Sequence, residues 1–189
     1  MFLFISFLVY IITTLFFASL LFPTPLSDNG NVRYSSLPIM TFVLIFVNSM
    51  VFMIFQGFDF YQGVNALEAG DMNSGMSLIN NYVQTIWMYG YRGALLRESL
   101  GIGAMSTFTS MFMHSDMWHL LGNMIFLWAF GRRVEDACGS WRFLIFYLCA
   151  GMIANIGSEI LNPSQIDLPG IGASGAISGV MGAYLILFP

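Results

Sequence analysis

The sequence predicts an all-α fold, a polytopic transmembrane helical bundle, and three observations carry that prediction. Hydrophobic residues make up 57% of the 189 and charged residues only 8%, with a mean hydropathy of +0.75, whereas soluble domains carry roughly 25% charged residues. The apolar residues fall into runs of membrane length, separated by short connectors rich in Pro, Gly, Asn and Asp. The six arginines (Arg33, Arg92, Arg97, Arg132, Arg133 and Arg142) all lie outside the long runs, and lysine is absent from the sequence. A net charge of -4 argues against a nucleic-acid partner, because phosphate binding rests on clustered cations. Two cysteines, Cys138 near an expected loop and Cys149 within an apolar run, are too few for a disulfide framework and read as packing residues. They form no metal-ligand cluster, and no cofactor is implied.

Residues 1–22 are almost entirely apolar, and at about 1.5 Å per residue this length crosses a hydrocarbon core of about 30 Å. A cleaved signal peptide is the weaker reading, since no basic n-region and no small-x-small cleavage site precede Pro23. Residues 1–22 are therefore expected to form an extra N-terminal transmembrane helix. The turn-rich residues 23–37 lead to the next apolar run, 38–55, whose leading Pro38 suits a first helical turn. Asn48 in its middle is expected to hydrogen-bond across to a neighbouring helix.

Residues 57–103 are neither a clean span nor a soluble domain. Gly, Asn and Met alternate there with Phe58, Phe60, Tyr61, Tyr82, Trp87, Tyr89 and Tyr91, the mixture expected of a segment lying in the membrane interface. Residues 105–113 lead into His114, and 118–130 form a third apolar run ending at Gly131, Arg132 and Arg133, which predicts a short basic connector. The run 143–157 is closed by Glu159, Asn162, Pro163 and Asp167, and Leu168-Pro169-Gly170 turns the chain into the last run, 175–188. This makes five apolar segments. Placing the connectors 23–37 and 131–142 on the cytoplasmic side gives them four of the six arginines and leaves none in the opposite connector, 158–171. Ser174 then sits at the non-cytoplasmic end of its helix.

Two groups of polar residues in apolar surroundings call for a reason. Gly172-Ala173-Ser174-Gly175 sets a serine between glycines at the head of an apolar run. A helix start offers free N–H groups and a positive dipole end, which suit a developing oxyanion. Packing is the alternative, because Gly175, Gly179 and Ala183 form a small-xxx-small face. The second group is His114, His119 and Asn123. His119 and Asn123 are four apart and share one helical face, while His114 falls at or just before the first turn. Each could be an interhelical hydrogen-bonding residue. Combined with the serine, they form a plausible donor set for an oxyanion: imidazole N–H, amide N–H and the serine's own backbone N–H.

The stretch FTSMFMHSDMWHLLGNM (108–124), continued by GRRVED (131–136), resembles the second core helix of the rhomboid intramembrane serine proteases, and GASGAISG (172–179) resembles their nucleophile motif. The likeness covers 105–189 and, more loosely, 38–57 as a first core helix. It implies that Ser174 is the nucleophile, that His119 and Asn123 stabilise the oxyanion, and that His114, Gly172 and Gly175 support them. Residues 38–189 would be a rhomboid-like core lacking its last two helices, with 57–103 as the membrane-embedded first loop. The Trp-Arg pair often found in that loop is not evident, and Tyr91-Arg92 is a distant substitute. The family's general base is a histidine on the sixth core helix, beyond the four matched here, and both histidines of this chain already belong to the patch.

The resemblance thus implies an endopeptidase cleaving transmembrane segments of protein substrates within the bilayer, incomplete at its C-terminus and inactive as this chain alone. The bacterial inner membrane is the most economical setting. The alternative is a non-catalytic rhomboid-like protein that binds transmembrane helices and alters their trafficking or lifetime. A third reading, a transporter or channel path lined by His114, His119 and Asn123, leaves Ser174 unexplained.

Overall fold

The computed structural model describes residues 37–188; the helix expected over 1–22 lies outside them. The described residues are helical, and their only β-type pairing is an isolated antiparallel bridge between Tyr91 and Gly170. Helix α1 (Ile39–Phe52) continues through a π-helical turn (Met53–Gly57) into α2 (Phe58–Glu68). The result is one apolar helix of 30 residues, long enough to cross a membrane. The chain reverses at Gly70, whose φ of +85° favours glycine. The Asp71 side chain then caps α3 (Met72–Tyr89) by accepting from Ser74 N. Next come α4 (Gly93–Glu98), α5 (Leu100–Thr109) and a 3-10 turn (Ser110–Phe112). The 57–103 segment is therefore mostly helix, with a hairpin of α2 on α3. Its polar and apolar residues alternate around the helices, which hides the helical period from a run-based reading.

Helix α6 (Met117–Phe126) runs through a second π-helical turn (Leu127–Gly131) into α7 (Arg132–Cys138). The connector predicted at Gly131-Arg132-Arg133 is thus helical, and the break falls at Gly139, with φ +86°. Gly131 serves close approach rather than a turn, since a Cβ there would lie 3.2 Å from both Thr41 Oγ1 and Phe143 Cζ. Helix α8 (Ser140–Leu161) is the second helix of spanning length. A 3-10 turn (Pro163–Gln165) and a loop lead to α9 (Ser174–Leu187), a shorter apolar helix.

The core lies between α1, α6, α8 and α9, where Phe52, Leu120, Met124, Phe143, Tyr147 and Val180 are fully buried. Ile153, Ile160, Leu185 and Ile186 point outward, as bilayer-facing helices permit. Asn48 Nδ2 donates to the Leu44 carbonyl, 2.7 Å away in its own helix, and its side chain lies beside the Tyr147 hydroxyl of the neighbouring α8. The small-xxx-small face forms a close helix contact: Cβ atoms at Gly175 and Gly179 would each lie 2.6 Å from Ala154 and Ala150 Cβ of α8.

The two ends of the bundle are fixed by buried polar groups. At one end Glu135, fully buried, accepts from Met40 N (2.9 Å), Thr41 N and Thr41 Oγ1 (2.8 Å each) and Ser140 Oγ (2.6 Å). This carboxylate satisfies the orphan donors at the start of α1 and ties them to the α7–α8 turn. The start of α1 and the arginine-bearing 131–142 stretch therefore share one end. Ser174 and both histidines lie at the other, at the start of α6 and α9.

Candidate active site

Ser174 is the first residue of α9, preceded by Ala173 as cap and by Gly172, whose φ of +123° L-residues rarely adopt. Gly172 N donates to the Ser110 carbonyl (2.9 Å). Ser110 Oγ accepts in turn from Asn155 Nδ2 of α8 (3.0 Å), which also donates to the Thr107 carbonyl (2.9 Å). This network, absent from the sequence reading, fixes where the serine turn sits. A Cβ at Gly172 would lie 2.9 Å from His119 Cε1, 3.0 Å from His119 Nε2 and 3.7 Å from Ser174 Oγ. Glycine is thus what allows the imidazole edge and the serine hydroxyl to converge on one point.

Around that point is an open cleft of about 520 Å³ whose wall includes Trp118, His119, Asn123, Phe126, Ser174 and Ser178. Ser174 is exposed, His119 half-buried and Asn123 buried. Asn123 Nδ2 donates to the His119 carbonyl one turn back (2.9 Å), which uses one of its two amide hydrogens. Gly175 turns the other way, into α8, so it packs and does not line the cleft.

His119 is held from behind. Its Nδ1 lies 3.2 Å from Ser115 Oγ, and Ser115 Oγ donates to Asp116 Oδ2 (2.8 Å). Asp116 caps α6, its Oδ1 accepting from Trp118 N and His119 N at 2.9 Å each. The His119 N–H and the Ser115 hydroxyl hold the Asp116 carboxyl below its usual range. His114 falls just before this cap, fully buried, with its ring edge-on to His119 at 5.2 Å between centroids. Burial, and then the His119 ring, push the His114 imidazole down to about 3; the weaker pulls of the Phe112 carbonyl and Asp116 oppose this. Gln56, from the π-helical turn after α1, brackets the His114 backbone: His114 N donates to Oε1 (3.0 Å) and Nε2 donates to the His114 carbonyl (2.6 Å).

A clasp closes the same end. Tyr91 and Gly170 exchange backbone hydrogen bonds of 2.9 and 2.8 Å, and Tyr91 OH donates to Glu159 Oε2 (2.7 Å). Glu159 Oε1 is paired with Arg97 Nη2 at 2.6 Å. Burial, then the hydrogen bond to Glu159, raise the Tyr91 phenol above its ordinary range. The Arg92 guanidinium lies over the Trp87 ring, 5.3 Å from its centroid.

Ser174, His119, Asn123, His114 and Gly172, the residues expected from sequence, lie together in the structure, whereas Gln56, Asn155, Ser115, Asp116 and Glu135 were not among them. Asp116 had a signal, an acidic residue at the N-cap position just ahead of Met117-Trp118-His119. Gln56 and Asn155 are merely polar residues at the ends of apolar runs.

Fold and site together define an all-α membrane bundle with a serine at a helix start facing a histidine and an asparagine across one cleft. Residues 103–189 match the family model of the Rhomboid domain, so this segment of the chain is rhomboid-like. It is 33% identical over 106 residues to the mitochondrial Rhomboid protein 1 of Saccharomyces cerevisiae, a match covering 54% of this chain and 31% of that protein. With the Rhomboid protease GluP of Bacillus subtilis it shares 43% identity over 77 residues, 41% of this chain and 14% of the relative. The putative rhomboid protease YdcA of the same bacterium is 38% identical over 79 residues, 42% of this chain and 39% of the relative. The matched part thus spans well under half the length of each. No solved structure gives a significant match.

Proposed function

We propose that this chain carries the nucleophile and oxyanion portion of an intramembrane serine endopeptidase acting on transmembrane segments of other membrane proteins. One observation supports the reading above the rest: Ser174 Oγ and the His119 ring meet at the point where Gly172 lacks a side chain, in a cleft that Asn123 also lines. In this reading Ser174 attacks a substrate carbonyl. The first-turn N–H groups of α9 and the Asn123 amide receive the oxyanion together with His119, and buried His114 supports the His119 ring. Trp118, Phe126, Ile177 and Met181, on the same wall, would hold the apolar residues flanking the scissile bond.

Serine needs a base to take its proton, and both histidines of this chain are committed to the patch. The reading therefore assigns the base, as the family resemblance implies, to a histidine of the full-length protein outside these 189 residues. Residues 38–189 would be the matching part of the core, 57–103 its membrane-embedded first loop, and 1–22 an additional helix. Named relatives come from a bacterium and from mitochondria, and a bacterial inner membrane is the setting we propose.

The test is cleavage of a transmembrane substrate by the reconstituted full-length protein. The peptidase reading expects cleavage that Ser174→Ala abolishes. Binding of transmembrane helices without cleavage, unchanged by Ser174→Ala, would instead support a non-catalytic relative.

A further inference from the structure

We propose that Asp116 and Ser115 are positioning residues that hold neutral His119 as its Nδ1–H tautomer, so that the ring turns a bare Nε2 toward the Gly172–Ser174 turn. The inference deepens the proposed oxyanion role of His119 and rests on that reading. Asp116, Ser115 and His119 form a chain of three groups. Asp116 Oδ1 receives two backbone N–H donors, at 2.9 Å each, and these stabilise the ionised carboxylate, which has no proton to give. Ser115 Oγ, 2.8 Å from Oδ2, must therefore donate its single hydrogen to Asp116. That leaves Ser115 Oγ only lone pairs for His119 Nδ1 at 3.2 Å, so Nδ1 must carry the hydrogen. A neutral imidazole has one N–H, and Nε2 is then unprotonated. Nε2 is also the nitrogen that faces the serine turn, 3.0 Å from the position a Gly172 Cβ would take.

A bare Nε2 presents a lone pair, which repels an oxyanion; it becomes a donor only when the ring takes up a second proton from water and is an imidazolium. His119 would thus stabilise developing charge as a cation, whereas Asn123 does so as a neutral donor at any pH. The groups facing the ring from neighbouring elements are His114 at 5.2 Å, Asp116 through Ser115, and Tyr82 of α3, whose hydroxyl donates to the Ser115 carbonyl (2.6 Å). From α9, Ser174 and Ser178 share the cleft with the ring.

The test is ¹⁵N NMR of the full-length protein in detergent micelles with ¹⁵N-labelled histidine, at a pH where the ring is neutral, the His119 signals being assigned by their loss in His119→Gln. The expected result is a protonated Nδ1 and a bare Nε2. Ser115→Ala should shift the ring toward the Nε2–H form, and Ser115→Thr should restore Nδ1–H. Ser115→Ala leaves the Asp116 cap in place, so its reading does not depend on an altered helix start. An Nε2–H ring in the wild type, or an Nδ1–H ring unchanged by Ser115→Ala, would overturn the proposal. Fluorophosphonate labelling of Ser174 in the same samples reads the peptidase proposal separately. A labelled serine beside an Nε2–H ring overturns the tautomer alone. The expected tautomer beside an unlabelled serine supports it and counts against the peptidase.

Discussion

Gln56 and His114 are 58 residues apart, yet the side-chain amide of one closes a two-bond ring with the backbone of the other, at 2.6 and 3.0 Å. Both residues are fully buried. The amide matches the backbone donor for acceptor and acceptor for donor, which an apolar side chain cannot do. Replacing Gln56 by Leu would strand a buried N–H and a buried carbonyl, at about 1–3 kcal/mol each. Gln56→Leu should accordingly lower stability by about 3 kcal/mol, read as the unfolding midpoint in detergent, whereas Gln56→Leu with the clamp irrelevant would leave the midpoint within error.

Glu135→Gln is nearly isosteric and should still be damaging. All four of the groups around the carboxylate are donors, so an amide –NH₂ in place of one oxygen would face donors with a donor. We expect a loss of about 2–3 kcal/mol, measured by denaturant or thermal unfolding, and a larger loss for Glu135→Gln than for Ser140→Ala, which removes one bond only.

The contact between α8 and α9 predicts a rescue. A Cβ at Gly179 would come 2.6 Å from Ala150 Cβ, which the two backbones can relieve only by moving apart. Gly179→Ala should cost about 1–3 kcal/mol, and Ala150→Gly in the same chain should recover most of it. Independent, additive losses in a double-mutant cycle would show that the two residues do not meet.

These pairs also show what could be read from sequence and what could not. Ser174 stood out because of its flanking glycines, and His119 with Asn123 because an interval of four is a property of one helix. Gly172 was legible for the same local reason. Gln56, Glu135 and Asn155 act across intervals of 58, 94 or 95, and 45 or 48 residues, and no local pattern encodes such partners. Gly131 misled because a glycine followed by two arginines has the composition of a turn, while the structure uses it to bring α1 and α8 close. The hairpin of α2 and α3 was hidden by mixed polarity, which reads as an interfacial segment whether or not it is helical.

His114 gives a pH dependence with a defined sign. Its folded-state value of about 3 lies below the ordinary 6.5, so as pH falls the unfolded chain takes up the proton first. Stability is fully present above pH 6.5 and is lost progressively as pH drops toward 3, with a slope of up to about 1.4 kcal/mol per pH unit. The unfolding midpoint of the wild type should fall between pH 6.5 and 4.5, a window above the titration of Asp116, and His114→Gln should flatten that slope. An unchanged slope in His114→Gln would assign the effect to another group.

The most direct measurement is the site of a fluorophosphonate adduct in the full-length protein, mapped by mass spectrometry. Ser178 is the control built into the fold: it lies one turn after Ser174 and lines the same cleft, but its hydroxyl donates to the Ser174 carbonyl at 2.8 Å. The expected result is an adduct on Ser174 and not on Ser178, slowed by at least about tenfold when the Asn123 donor is removed by Asn123→Ala. An adduct on Ser178, or none on Ser174 under conditions where the protein is folded, would contradict the assignment of Ser174 as the nucleophile.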